Sequence, residues 1–210
     1  MAHLDLNEQE RIDSIRYYWR IWGKYIITLV LVLVVGYIGS SLYQWYGKSH
    51  AEKAAVLYSA FTTAISEKND QKVVATANQL IETLPGTEYA PMAALQAAKV
   101  AVDQKDYSSA TKFLNWTKDN SKDKSMQSIA SLRLATIYID QGKFDKAREL
   151  LKTKHDLAFD GLFYEARGDM YIAMGDTNKA RDAYKEGLQK AANDPSTQQV
   201  IQMKLDIIGS

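Results

Sequence analysis

The chain has 210 residues, with 26 lysines and arginines against 25 aspartates and glutamates, three histidines and no cysteine. A net charge of +1 offers no basic stripe for a nucleic acid. The absence of cysteine excludes a disulfide framework and thiol chemistry.

Residues 1–24 carry Arg11, Arg16, Arg20 and Lys24 against Asp5, Glu8, Glu10 and Asp13, a neutral balance. Leu6, Ile12, Ile15, Tyr18, Trp19 and Trp22 recur at steps of three and four, which predicts an amphipathic helix with arginines placed to meet lipid phosphates. This tail reads as an interfacial extension of the apolar run that begins at Tyr25; a cytoplasmic docking segment for a partner is the alternative.

Tyr25 to Gly47 form 23 consecutive residues without a charge, eleven of them Leu, Ile or Val. As a helix the stretch would measure roughly 34 Å, enough to cross a hydrocarbon core of about 30 Å. Aromatic rings gather at both ends, Tyr25 among the first group and Tyr43, Trp45 and Tyr46 in the second, as headgroup belts require. A cleavable secretory signal would be shorter and end in small residues. Here bulky rings close the run, and Gly39, Ser40 and Ser41 are the only small cluster. The stretch is therefore read as a transmembrane anchor; the cleaved alternative predicts a mature N-terminus near residue 41 or 42. Arg16, Arg20 and Lys24 on one side against Lys48 and Lys53 on the other favour a cytoplasmic N-terminus. Gly36 and Gly39 on the outer half would allow close approach of a second helix.

Beyond Lys48 the chain alternates helical apolar patterns with short polar breaks, and no strand pattern is found. Helices are predicted near 51–66, 71–84, 88–102, 107–118, 125–140, 144–153, 160–174, 177–191 and 196–208, with turn formers at Asn69-Asp70, Pro85-Gly86, Lys105-Asp106, Gln141-Gly142, Gly175-Asp176 and Asp194-Pro195. The segments 134–151 and 167–184 align at an offset of 33, placing Gly142 on Gly175, Tyr138 on Tyr171 and Ala147 on Ala180. The segment 97–114 joins them at an offset of 37, whereas 51–84 shows only traces of the pattern. A period near 34 of paired helices is the tetratricopeptide signature. Ala98, Ala135 and Gly168, with Ala110, Ala147 and Ala180, are small where paired helices must approach closely. The last helix opens with a capping-box pattern at Ser196 and should cover the final repeat with an apolar face of Val200, Met203 and Ile207, widened by Ile201, Leu205 and Ile208. The fold class is thus all-α: a single N-terminal transmembrane helix, then a tetratricopeptide-like array with a C-terminal capping helix. The expected domains are 1–24, 25–47 and 48–210.

His3, His50 and His155 are scattered without a second ligand at metal spacing and read as solvated side chains. No phosphate-binding glycine loop, zinc-protease motif or calcium loop is present. Neither an enzyme nor a cofactor is expected. An array of this kind instead offers a surface lined by its first helices, at Met92, Leu95, Lys99, Leu132, Thr136, Glu165 and Asp169 on the tetratricopeptide register. The mixture is partly apolar and lacks stacked Lys and Asn residues to clamp a terminal carboxylate. It suits folded partners or loosely apolar segments; packing within the array is the alternative for several of these positions.

The tail RIDSIRYYWRIWGKYI before a single anchor, the closing SLYQWY, the repeats LRLATIYIDQGKFDKARELL and ARGDMYIAMGDTNKARDAYKEGL, and the terminal QMKLDII together resemble the YfgM family, ancillary subunits of the bacterial SecYEG translocon. The resemblance covers essentially the whole chain. It implies an inner-membrane protein with a cytoplasmic N-terminus and a periplasmic repeat domain, in the lipid bilayer beside SecYEG. It also implies association with a PpiD-like membrane-anchored chaperone and help for exported, unfolded proteins leaving the channel. A scaffold for another envelope assembly or secretion machine is the other reading of the architecture.

Overall fold

A computed structural model describes the backbone of residues 6–209 and the side chains of residues 17, 19–41, 48 and 52–209. Within that range the chain forms nine α-helices: α1 (Leu6–Ser66), α2 (Asp70–Thr83), α3 (Tyr89–Asp103), α4 (Tyr107–Asn120), α5 (Lys124–Asp140), α6 (Phe144–Lys152), α7 (Asp160–Ala173), α8 (Thr177–Lys190) and α9 (Pro195–Ile207). A short 3-10 turn, Leu157–Phe159, precedes α7. No strand occurs among the described residues. The chain divides into two compact units, Met1–Ala51 and Glu52–Ser210.

In the first unit, Trp19–Ser41 is helical and is long and apolar enough to cross a membrane. It shares Tyr25–Ser41 with the run of uncharged residues and begins six residues earlier, because Trp19, Ile21 and Trp22 extend the apolar surface past Arg20 and Lys24. Its Leu, Ile and Val side chains are exposed around the whole circumference, a pattern that water disfavours and hydrocarbon accepts. Trp22 meets Tyr25 edge-on at 6.2 Å, and the Lys24 ammonium lies 5.1 Å from the Tyr25 ring centre, giving this end a mixed aromatic and cationic character. Gly36 and Gly39 have open space where a Cβ would stand. The side chains of Leu6, Ile12, Ile15, Tyr18 and Trp45 lie outside the described residues.

The second unit is built from one repeated turn. At the end of α1, α3, α5 and α7 a residue in the left-handed region reverses the chain: Lys68 (φ 53°), Lys105 (φ 62°), Gly142 (φ 68°) and Gly175 (φ 80°). In each case the next N–H donates back five residues, Asn69 to Ala64, Asp106 to Ala101, Lys143 to Tyr138 and Asp176 to Tyr171, at 2.8–2.9 Å. This is the Schellman closure, which satisfies carbonyls at the end of one helix. Asn69, Asp106 and Asp176 then accept a backbone N–H of the next helix, so a single short turn ends one helix and caps its partner. The four left-handed positions stand 37, 37 and 33 residues apart. The segment 51–84 is therefore a full repeat in the same register.

What hides it in the sequence is an exchange of volumes. Buried pairs at equivalent positions read Ala98 with Leu114, Ala135 with Leu151 and Gly168 with Tyr184, small on the first helix and large on the second. The first repeat reverses this, with Phe61 on α1 and Ala77 on α2, both fully buried. Total volume is roughly kept, which is what close packing demands.

First helices touch in succession, α3 with α5, α5 with α7 and α7 with α9. The core is a file of three clusters, the largest around Phe61, Leu80 and Phe113, the next around Leu151 and Phe163, and the last around Tyr184 and Ile201. Tyr171 packs against both of the last two.

The cap departs from expectation in start and rotation. Asp194, not Ser196, is the capping residue: its carboxylate accepts the backbone N–H groups of Ser196 and Thr197, both at 3.1 Å, with Pro195 opening the helix. Ile201 and Leu205 face the core, while Val200, Met203 and Ile207 point outward. Gly187 on α8 causes this rotation by letting the Ile201 methyl approach to 3.0 Å from where a Cβ would be.

Candidate functional site

The seven first-helix positions do not form one continuous site. Leu95 and Leu132 are half-buried, packed against the first and second core clusters, and the Leu95 carbonyl accepts a hydrogen bond from Arg133 Nη1 at 2.9 Å. Lys99 is exposed on α3. Met92 opens into a cleft between loops at the start of α3. Thr136 and Asp169 come together, lining a cavity of about 340 Å³ between α5 and α7 with Ile139, Asp140 and Ile172. Isoleucines on two helices, flanked by carboxylates, give this cavity an apolar and acidic character.

Glu165 and Asp169 meet a residue that sequence reasoning did not select. Lys204, on the inward face of α9, places its ammonium 2.7 Å from Glu165 Oε1 and 2.7 Å from both oxygens of Asp169. The Tyr184 hydroxyl donates to Asp169 Oδ1 at 2.7 Å. Burial pulls the Lys204 ammonium toward deprotonation, but its hydrogen bonds to Asp169 and Glu165 outweigh this and hold its pKa above the ordinary value. Tyr184 is pushed far up, first by burial and then by its bond to Asp169 and the two carboxylate charges. The cap helix thus offsets one of the two negative charges at the acidic end of the first-helix face. Arg181 secures the same helix from the other side, its guanidinium donating to the Gly209 carbonyl at 2.8 Å. A signal existed in the sequence: Lys204 lies between the buried-face positions Ile201 and Leu205, and a lysine there demands an acidic partner.

His155 is not solvated. Its ring lies parallel to Phe163 with centres 3.6 Å apart, while Nε2 lies 2.9 Å from Asp160 Oδ1 and Nδ1 2.8 Å from the Thr153 carbonyl. The 3-10 turn before α7 folds the loop inward and gives the histidine a structural role. Among the described residues no three His, Asp or Glu side chains are grouped to hold a metal ion.

A non-polar helix of membrane-spanning length and an open file of paired helices define a helical-repeat protein of the interaction type. The chain belongs to the family described as tetratricopeptide repeat-like domain, whose model matches residues 16–210. It is similar to a protein of Neisseria gonorrhoeae named ancillary SecYEG translocon subunit, 32% identical over 206 residues, covering 98% of each chain. Proteins of the same name from Haemophilus influenzae and Escherichia coli are 26% and 24% identical, covering 96% and 95% of this chain and 97% and 96% of their own. No solved structure matches the chain.

Proposed function

We propose that this protein is a membrane-anchored, non-catalytic scaffold or co-chaperone associated with the SecYEG translocon, assisting exported proteins as they leave the channel. The observation that carries the reading is the near full-length similarity to proteins named as translocon subunits, which takes in the apolar helix as well as the array. In this reading the N-terminus is cytoplasmic, in line with the three cations Arg16, Arg20 and Lys24 before the span against Lys48 and Lys53 after it. The array then stands in the periplasm beside a PpiD-like chaperone. The anchor holds the array at the channel exit, where tethering raises effective concentration without tight affinity. Tyr25, Gly36, Gly39 and Trp45 are the anchor positions proposed to meet the channel. The cavity at Thr136 and Asp169 is the part of the first-helix face proposed to meet a partner. Purification of the full chain in mild detergent should co-isolate SecYEG and a PpiD-like chaperone; recovery free of both would refute the reading.

A further inference from the structure

Residues 14–51 contain Arg16, Arg20, Lys24 and Lys48 and no aspartate or glutamate. Two of these cations have an acid within a helical turn by spacing, Arg16 from Asp13 and Lys48 from Glu52. Arg20 and Lys24 have none within four residues, and neither forms an ion pair among the described residues. Both are exposed on α1. Like charges one turn apart repel, and the repulsion grows at the edge of hydrocarbon, where water is scarce. An anion from outside the chain relieves it.

Their depth identifies the anion. With the uncharged run Tyr25 to Gly47 centred in the bilayer, the edge of an approximately 30 Å hydrocarbon layer falls near residue 26. Lys24 then stands roughly 3 Å and Arg20 roughly 9 Å outside that edge, bracketing a headgroup layer about 5–8 Å deep. The flanks match. Gly23 lets the Trp19 indole lie against the helix, with three ring carbons 3.3–3.4 Å from where a Cβ would stand. That ring walls one side of the Arg20–Lys24 stripe, and Tyr25 stands at the other, its ring centre 5.1 Å from the Lys24 ammonium. Toward the bilayer centre the same helix face continues with Ile27, Leu31 and Val34, all exposed. A cationic position thus runs directly into an apolar track.

We infer that the Arg20–Lys24 stripe binds an anionic phospholipid, its phosphate held between the guanidinium and the ammonium and one acyl chain laid along Ile27, Leu31 and Val34. Charge selects the headgroup. Two cations without an acid attract a phosphodiester whose remaining group is neutral, and they repel the ammonium of a zwitterionic lipid. The guanidinium adds a planar fork that matches two phosphate oxygens. A free phosphate would leave the indole and the apolar track unused, so the occupant is the lipid. The other end of the span lacks the pairing, because Lys48 stands alone there with Glu52 one turn on.

The inference rests on the reading of this helix as a membrane span, and its test separates the two. The full chain is reconstituted in nanodiscs of equimolar phosphatidylglycerol and phosphatidylcholine, and the lipids it retains on release are counted by native mass spectrometry. The parent should keep at least about threefold more phosphatidylglycerol. Arg20→Gln together with Lys24→Gln should bring the ratio to about one, while Lys48→Gln leaves it in place. Equal retention by the parent, an unchanged preference in the double variant, or an equal loss in Lys48→Gln overturns the site. A second measurement uses the parent stripe intact, in case the double variant does not insert. A photoreactive phenylalanine analogue at Ile27, below the stripe, should cross-link labelled phosphatidylglycerol in preference to labelled phosphatidylcholine, and the same analogue at Leu29, on the opposite face, should not discriminate. Matching adducts at the two positions overturn the proposal. Chain that resists alkaline carbonate extraction yet shows no lipid preference overturns this inference alone, whereas chain released by carbonate overturns the membrane span and the lipid site together.

Discussion

Gly168→Ala is the substitution for which two elementary effects give opposite signs. By helix propensity alone it should stabilise α7 by about 1 kcal/mol. The packing says otherwise. A Cβ at Gly168 would stand 2.2 Å from Tyr184 Cε1 and 2.4 Å from Cδ1, inside van der Waals contact by more than an ångström. The Tyr184 ring is only 2% exposed, and its hydroxyl is bonded to Asp169, the neighbour of the substituted residue. Overpacking costs about 1–3 kcal/mol, and a displaced hydroxyl leaving Asp169 adds about 1–3 kcal/mol. After subtracting the propensity gain, a net loss of about 1–5 kcal/mol is expected. Urea unfolding of the full chain in nanodiscs, followed by circular dichroism, measures it; hydrogen exchange should show amide protection falling most in α7–α9. The pair Gly168→Ala with Tyr184→Leu recreates the combination at Ala135 and Leu151, and should cost less than the sum of its two single changes. A Gly168→Ala protein more stable than the parent would refute the packing argument.

Lys204→Met should destabilise the array by about 1–3 kcal/mol by leaving Glu165 and Asp169 together without their shared cation. Because the folded-state pKa of Lys204 is raised, its contribution is complete below its ordinary value of 10.5 and is lost as the pH rises through the higher folded value. Alkaline unfolding of the parent should carry this dependence and the Met variant should lack it; identical alkaline curves would contradict the assignment. Lys105→Gly should raise stability by roughly 0.5–1 kcal/mol, since glycine adopts the left-handed turn without strain, whereas Gly175→Ala should lower it by about 1 kcal/mol. Thermal midpoints of the two variants moving in the same direction would count against the turn argument.

The helical architecture was largely legible because its punctuation is chemical. Gly142 and Gly175, followed by a capping Asp176 in the second case, announce a left-handed turn and a new helix in residue types suited to nothing else. Lys68 and Lys105 occupy the same backbone position without a signal of their own, so the two turns show only through the neighbouring Asn69-Asp70 and Asp106, and the repeat register of 51–84 was obscured. Phe61 and Ala77 deepened that silence by exchanging large for small while preserving volume. The rotation of α9 was beyond the sequence for a different reason. Val200, Met203 and Ile207 satisfy helical spacing as well as Ile201, Leu205 and Ile208 do, and only the opening at Gly187 on another helix decides between them. Of the first-helix positions, Thr136 and Asp169 share a cavity. Leu95 and Leu132 are packed into the array, and Glu165 is paired with a lysine 39 residues away. Such pairing is a tertiary fact, visible in one dimension only as an oddly placed cation.

The linear file of three core clusters bears on how the array loses structure. Its clusters are joined only through neighbours, so the molecule behaves as a stack in which the terminal layer can fray while the remainder stays ordered. The layer at the C-terminal end is small, and α9 is fastened mainly by Ile201, Leu205, Lys204 and Arg181. Fraying there does more than lose area. As α9 detaches, it takes the Lys204 ammonium away from α7 and uncovers two carboxylates beside the Thr136 cavity. Local melting of the end layer and a gain of negative charge on the neighbouring surface are thereby the same event.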